Sequence, residues 1–187
     1  MTSDENLVEA ARGAPDGDTR AFDELVVRHQ GRVLANCRYL GGCAEEAHDL
    51  AQEVFVKAFF GLKRFQGRSQ FGSWVQRIKV NHCLNYLRKR KGKSFLDVED
   101  PVLAGEEVLQ TPATPESDAG RRDMRDRIRT VLDTLPDTLR VPLIMRDLDG
   151  FSYREIADSL DLGLSAVKMR IKRAREEFRR LYDDRGT

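Results

Sequence analysis

Apolar side chains return at three- and four-residue intervals through most of the first 93 residues, the period of helices with one buried face. Phe22, Leu25, Val26, Val33, Cys37 and Leu40 predict a first long helix, ended by Gly41 and Gly42. Leu50, Val54, Ala58 and Leu62 align along a second, from Glu45 to about Leu62. Its other apolar residues, Phe55, Val56, Phe59 and Phe60, are too many for a single buried face. Such a helix is either central in its domain or covered by a partner. Trp74, Ile78, Cys83, Leu84 and Leu87 predict the core face of a third, from Phe71 to Lys91.

From Gly92 to Gly120 the period disappears. Pro101, Gly105, Pro112 and Pro115 break any helix there, which predicts an extended or disordered connector. Helical patterning resumes at Arg121, with Ile128, Val131, Leu132 and Leu135 leading to Pro136. A short helix through Leu139, Leu143 and Ile144 follows, expected to bend at Pro142. Residues 149–175 then read as helix, tight turn, helix. Ser152 and Glu155 form a capping box, Ile156 and Leu160 an apolar face, and Gly163 is expected to let the chain turn. Val167, Ile171, Ala174 and Phe178 predict one buried stripe on the second helix, with Lys168, Lys172, Arg175 and Arg179 forming a basic one. That is a helix-turn-helix whose second helix suits a major groove. No alternating strand pattern or internal repeat appears. The expected fold is all-α, two small helical domains over 1–93 and 121–187 joined by a flexible acidic linker over 94–120.

Charge changes the picture more than composition does. The formal net charge of +1 conceals blocks: residues 57–93 hold 11 basic and no acidic side chains, and residues 94–120 hold 7 acidic and no basic ones. Two polyanion-facing surfaces separated by an acidic connector would produce this arrangement. Three scattered cysteines, Cys37, Cys43 and Cys83, make no CxxC pair and favour a reducing cytoplasm. His82 and Cys83 with Cys43 and His48 lack the ligand spacing of a zinc site. There is no signal-like apolar core and no apolar run of about 18 residues, so a soluble, cytoplasmic protein is expected.

Three segments resemble the sigma-70 family of RNA polymerase sigma factors. The run Ala44 to Phe59 is similar to the helix by which the family binds core polymerase. Phe71 to Arg88 is similar to the helix that handles the promoter minus-ten element, and Leu132 to Arg180 resembles region 4. Regions 2 and 4 without others is the layout of the extracytoplasmic-function (ECF) group.

The resemblance implies a protein that binds core RNA polymerase and promoter DNA, assists promoter opening, and is held in check by an anti-sigma factor. It implies no catalytic residue, metal, cofactor or small-molecule substrate. Asp49, Gln52, Glu53, Phe55 and Phe59 would meet the polymerase, although Asp49 also reads as a helix-start charge and Phe55 as core. Arg68, Ser69, Gln70, Phe71, Asn81 and Arg88 would take minus-ten DNA, the loop and the helix face carrying Asn81 together capturing a flipped-out base, with Ser69, Gln70 and Asn81 hydrogen-bonding it and Phe71 walling the pocket. A small polar pocket with an apolar wall is what an unstacked base requires. Trp74 suits core better than a stacking platform. Ser165, Lys168, Met169, Lys172 and Arg173 would read the minus-35 element, with Ser165 capping the helix because Ala166 stands where a threonine is common. The linker would either mimic nucleic acid near the polymerase active centre or simply tether the domains. Two rival functions are a ligand-sensing helix-turn-helix repressor or activator, and a metal hydrolase using His48, Asp49 and Glu53.

Overall fold

The computed structural model describes residues 2–41, 44–92 and 118–184. Gly42, Cys43 and most of the expected linker lie outside the described residues. The chain divides into two compact units, Met1–Arg90 and Lys91–Thr187, and the described residues form helices and turns with no strand.

The first unit is built from α1 (Asp4–Gly13), α2 (Arg20–Gly41), α3 (Ala44–Gly61) and α4 (Phe71–Lys91), with a 3₁₀ turn at Leu62–Arg64. The apolar period gives no sign of α1, because only Leu7 and Val8 in it are buried. Local chemistry starts it instead: the Ser3 hydroxyl accepts the Asn6 N–H at 3.3 Å, and Asp4 and Glu5 complement the free N–H groups of the first turn. Asp4 also ties α1 to α2. Its carboxylate accepts from Arg28 Nη1 at 3.0 Å and lies 2.6 Å from His29 Nε2. Burial works to raise the Asp4 pKa, but the hydrogen bonds with His29 and Arg28 outweigh it and hold the group below its ordinary value.

Helix α2 buries Phe22, Leu25, Val33, Cys37 and Leu40, and α3 buries Leu50, Val54 and Ala58, as the period predicts. In α4 the buried seam is Phe71, Val75, Lys79, Val80, Cys83, Leu84 and Leu87. Trp74 and Ile78 are only half-buried, at its flank. The expected seam is one position off there, because Lys79 looks like a surface residue and is completely buried. Trp74 belongs to a ring cluster, 4.7 Å from Phe65 and 5.7 Å from Phe71. A Cβ on Gly72 would approach His29 Cε1 to 2.9 Å, so glycine is what lets α4 begin against α2.

The second unit comprises α5 (Asp118–Thr134), α6 (Asp137–Leu143), a π-helical segment (Ile144–Leu148), α7 (Tyr153–Leu160) and α8 (Leu164–Asp184). Helix α5 begins three residues before the expected Arg121. Pro142 lies inside α6 and has no N–H for the preceding turn. The wider turn follows it directly, with the Asp149 N–H donating to the Ile144 carbonyl at 3.0 Å. The capping box of α7 is formed: the Ser152 hydroxyl accepts the Glu155 N–H at 3.2 Å, and the Glu155 carboxylate accepts the Ser152 N–H at 2.9 Å.

The tight turn departs from the expectation. Asp161, not Gly163, adopts the left-handed conformation that ends α7, with φ 56°. Gly163 caps α8, its carbonyl accepting the Val167 N–H at 3.1 Å. Ser165 therefore sits within the first turn of α8 and is not its cap. Val167, Ile171 and Ala174 are buried as predicted, Phe178 is half-buried, and Arg170 joins the buried face.

Candidate functional site

Helices α2 and α3 leave a groove between them. The cavity, about 900 Å³, runs past Phe22, Val26, Leu34, Phe55 and Phe59. Phe59 is 42 % exposed, Val56 55 % and Phe60 76 %, whereas Phe55, at 9 %, forms the floor. Edge-on contact between Phe22 and Phe59, with centroids 5.1 Å apart, holds the wall in place. Asp49, Gln52 and Glu53 are all exposed on α3. Their spacing puts them beside Val56 and Phe60 on one helix face. Of the residues the sequence assigns to the polymerase, Gln52, Phe55 and Phe59 line the groove, whereas Asp49 and Glu53 stand outside its lining and Glu53 faces His82 of α4. Val56 and Phe60, which the sequence treats only as surplus apolar residues, line it and are more exposed than Phe59. Their excess over one buried face is the signal that finds them.

A second concavity, about 610 Å³, lies between α1 and the loop that precedes α4. Gly67 turns that loop with φ +66°. The Gln70 carbonyl accepts the Trp74 N–H at 3.1 Å and so caps α4. Arg68, Ser69, Gln70 and Phe71 all line the cleft. Phe71 is only 3 % exposed, packed on His29, Phe65 and Trp74, and supplies an apolar wall. Asn81 is exposed but ten residues along α4, about 15 Å by helical rise. Arg88, further on, stands 3.5 Å from Asn85. The sequence-predicted residues thus fall into one cluster in the loop and two outliers on the helix.

In the second unit Lys168 and Ser165 are exposed, and Met169, Lys172 and Arg173 half-buried. Lys172 lies 3.6 Å from Glu176. Arg175 does not belong to a free basic stripe: it donates from Nε and Nη2 to Asp147 at 3.0 and 2.6 Å. That hydrogen bonding raises its pKa further. Two groups the sequence does not single out complete the surface. The Tyr153 ring has the Arg146 guanidinium 4.7 Å from its centroid and the Lys168 ammonium at 6.0 Å.

The rival residues are dispersed. His82 faces Glu53 at 2.9 Å, while adjacent Cys83 faces Cys37 at 3.8 Å. Burial lowers the His82 pKa against the pull of Glu53. His48 lies 3.4 Å from Arg38 Nη2. Among the described residues no cluster of three or more His, Cys, Asp or Glu side chains is placed to hold a metal ion, and no helix is long and apolar enough to cross a membrane.

Residues 25–93 match the sigma-70 region 2 family, and residues 125–178 match sigma-70 region 4. The chain is 35 % identical to the RNA polymerase sigma-H factor of Pseudomonas aeruginosa, over 92 % of this chain and 90 % of that protein. It is 36 % identical to the ECF RNA polymerase sigma-E factor of Escherichia coli K12, over 93 % and 91 %. A solved structure, CnrH in complex with the cytosolic domain of CnrY, superposes with a TM-score of 0.59 at 26 % identity and covers 97 % of both chains. Two matched regions in order, and relatives that span nearly the whole chain, place this protein among the ECF RNA polymerase sigma factors, which bind core polymerase and promoter DNA and direct transcription initiation.

Proposed function

We propose that this sigma factor docks on core polymerase through the α2–α3 groove, with Phe59, Phe60 and Val56 as apolar anchors and Asp49, Gln52 and Glu53 as a charged and polar border. The observation that carries it is Phe60, 76 % exposed beside a groove of about 900 Å³. A soluble domain that leaves an aromatic ring and its neighbours uncovered is shaped for a partner. Phe55 supports the groove from below.

Residues 1–93 then act on the minus-ten element. Arg68, Ser69, Gln70 and Phe71 enclose an unstacked base, while Asn81 and Arg88 contact the strand further along α4. Residues 121–187 act on the minus-35 element through Ser165, Lys168, Met169, Lys172 and Arg173, and residues 94–120 connect the two. Lys and Arg at such positions suit guanine edges and phosphates. The protein works in the cytoplasm, where its polymerase is. An anti-sigma factor covering the same groove is the expected brake; CnrH was solved with the cytosolic domain of CnrY.

Run-off transcription with core polymerase and a promoter library tests this. The holoenzyme is expected to initiate at defined promoters, while the chain alone binds duplex DNA weakly, because two small surfaces gain from being held at a fixed spacing. Asp49→Lys should abolish initiation and retain the fold. Tight sequence-specific binding by the isolated chain at physiological salt would instead favour a conventional repressor or activator.

A further inference from the structure

The seam between α3 and α4 carries polar groups that the apolar groove does not use. Two glutamates of α3, Glu46 and Glu53, stand seven residues apart and so share one side of the helix. Facing them, α4 presents His82, Tyr86 and Arg90, each four residues from the next. Arg90 donates to the Glu46 carboxylate at 2.8 Å, and a hydrogen bond to Glu46 raises the Tyr86 pKa. At the other end of the seam His82 Nε2 stands 2.9 Å from Glu53 Oε2. The His82 side chain is 15 % exposed and that of Glu53 61 %, so the ring is the fixed member of the pair.

We propose that His82 is a positioning residue for polymerase docking, its ring fixing one oxygen of the Glu53 carboxylate and leaving the other to accept from a cationic side chain of the polymerase. The inference rests on the reading that Glu53 borders the docking groove. A carboxylate accepts hydrogen bonds and donates none, so the proton between the two groups belongs to His82 Nε2. Burial holds the His82 pKa below its ordinary value against the pull of Glu53, with Lys57 and Lys89 adding to the effect. The ring is therefore neutral near pH 7, and Glu53 keeps its full charge for the partner. His82 Nε2 is buried and lacks an aligned hydrogen-bond partner. A small rotation of the exposed carboxylate supplies one, and a buried donor left unsatisfied is costly enough to hold it there. An exposed glutamate otherwise loses rotamer freedom when a partner fixes it, a cost that fixing it beforehand removes. Because Glu53 stands outside the groove's lining, its contact flanks the apolar element that fills the groove.

The test measures binding of the full chain to core polymerase without DNA, so that neighbouring Asn81 plays no part. Glu53→Ala should weaken binding about tenfold, and His82→Leu about fivefold, the size of one well-placed hydrogen bond. In the Glu53→Ala background His82→Leu should cause no further loss, because the group it positions is gone. A ring that only packs would cause the same loss in both backgrounds. His82→Gln, whose amide can donate to Glu53, should bind within about twofold of the unaltered chain. Thermal melts accompany each variant, and His82→Ala takes the place of His82→Leu in the cycle if the latter does not fold. Equal losses in the two backgrounds, a glutamine variant as weak as the leucine one, or tighter binding by His82→Leu overturns the assignment. If Glu53→Ala binds core polymerase as the unaltered chain does, Glu53 is no docking group, and the role of His82 falls with that reading.

Discussion

Among the described residues, the first unit exposes Val27, Val56, Phe59 and Phe60, whereas the second exposes one large apolar side chain, Leu164. Both units tie cations down: the first holds Arg28 to Asp4 and Glu24 and Arg90 to Glu46, and the second holds Arg175 to Asp147, Arg140 to Asp133 and Asp137, and Arg146 to the Phe151 carbonyl and the Tyr153 ring. What differs is the open apolar groove of the first. A protein partner is held by apolar area that becomes buried, so its surface must stay bare until then. DNA is held by charge and by donors aimed at base edges, and long cationic side chains aim well only when fixed. The two surfaces suit two kinds of partner.

The largest effect expected separates the groove's anchor from its floor. Phe60→Ala should weaken binding to core polymerase by about 30-fold, the loss of a hot-spot side chain worth about 2 kcal/mol, with an unchanged melting temperature. Phe55→Ala should destabilise the first unit by about 3–5 kcal/mol through the cavity it leaves. A pull-down and a circular-dichroism melt on each variant distinguish them. Equal melting temperatures for the two variants would erase the distinction between anchor and floor.

In the second unit the same pairing of variants tests whether tied cations matter. Arg175→Ala removes two hydrogen bonds to Asp147 from a mostly buried pair and should cost about 1.5–3 kcal/mol of stability. Lys172→Ala should leave the melt unchanged and reduce the salt dependence of holoenzyme binding to upstream-element DNA by about one phosphate contact. If both variants lose DNA binding without losing stability, the Asp147 pair is not structural.

The next effect lies where α4 starts. Gly72→Ala places a methyl group against His29 and should destabilise the first unit by about 1–3 kcal/mol, a typical overpacking cost. In a His29→Ala background the same change should cost less, because the side chain that clashes is gone. An equal cost in both backgrounds would place the strain elsewhere.

Helix order, the buried faces of α2, α3 and α8, and the capping box of α7 are legible in the sequence, because each is written in local spacing. Lys79 and α1 are not. Lys79 is buried by its tertiary surroundings, which no propensity reports, and assuming it exposed shifts the α4 seam onto Trp74 and Ile78. Helix α1 buries too few residues to show a period, so its share of the cleft emerges only when Asp4 is seen against Arg28 and His29. Of the site, the loop residues 68–71 are contiguous and readable from the resemblance. Tyr153 between Arg146 and Lys168 depends on three elements meeting, and spacing cannot convey that.

The smallest effects concern the turn between α7 and α8, where glycine is the natural guess for the left-handed residue. The positive φ belongs to Asp161, and a Cβ on Gly163 would meet nothing within 4 Å. Asp161→Gly should therefore stabilise the second unit, by about 1 kcal/mol at most, because a left-handed backbone strains an L side chain and aspartate tolerates it only in part. Gly163→Ser should stabilise it by a few tenths of a kcal/mol, since serine at a helix cap gives the free N–H groups a side-chain acceptor that glycine lacks. The two gains should add if the sites act independently, as thermal melts of the single and double variants would show. Were glycine needed at 163 for its conformation, Gly163→Ser would lower the melting temperature, and the turn would have the geometry that the sequence suggests.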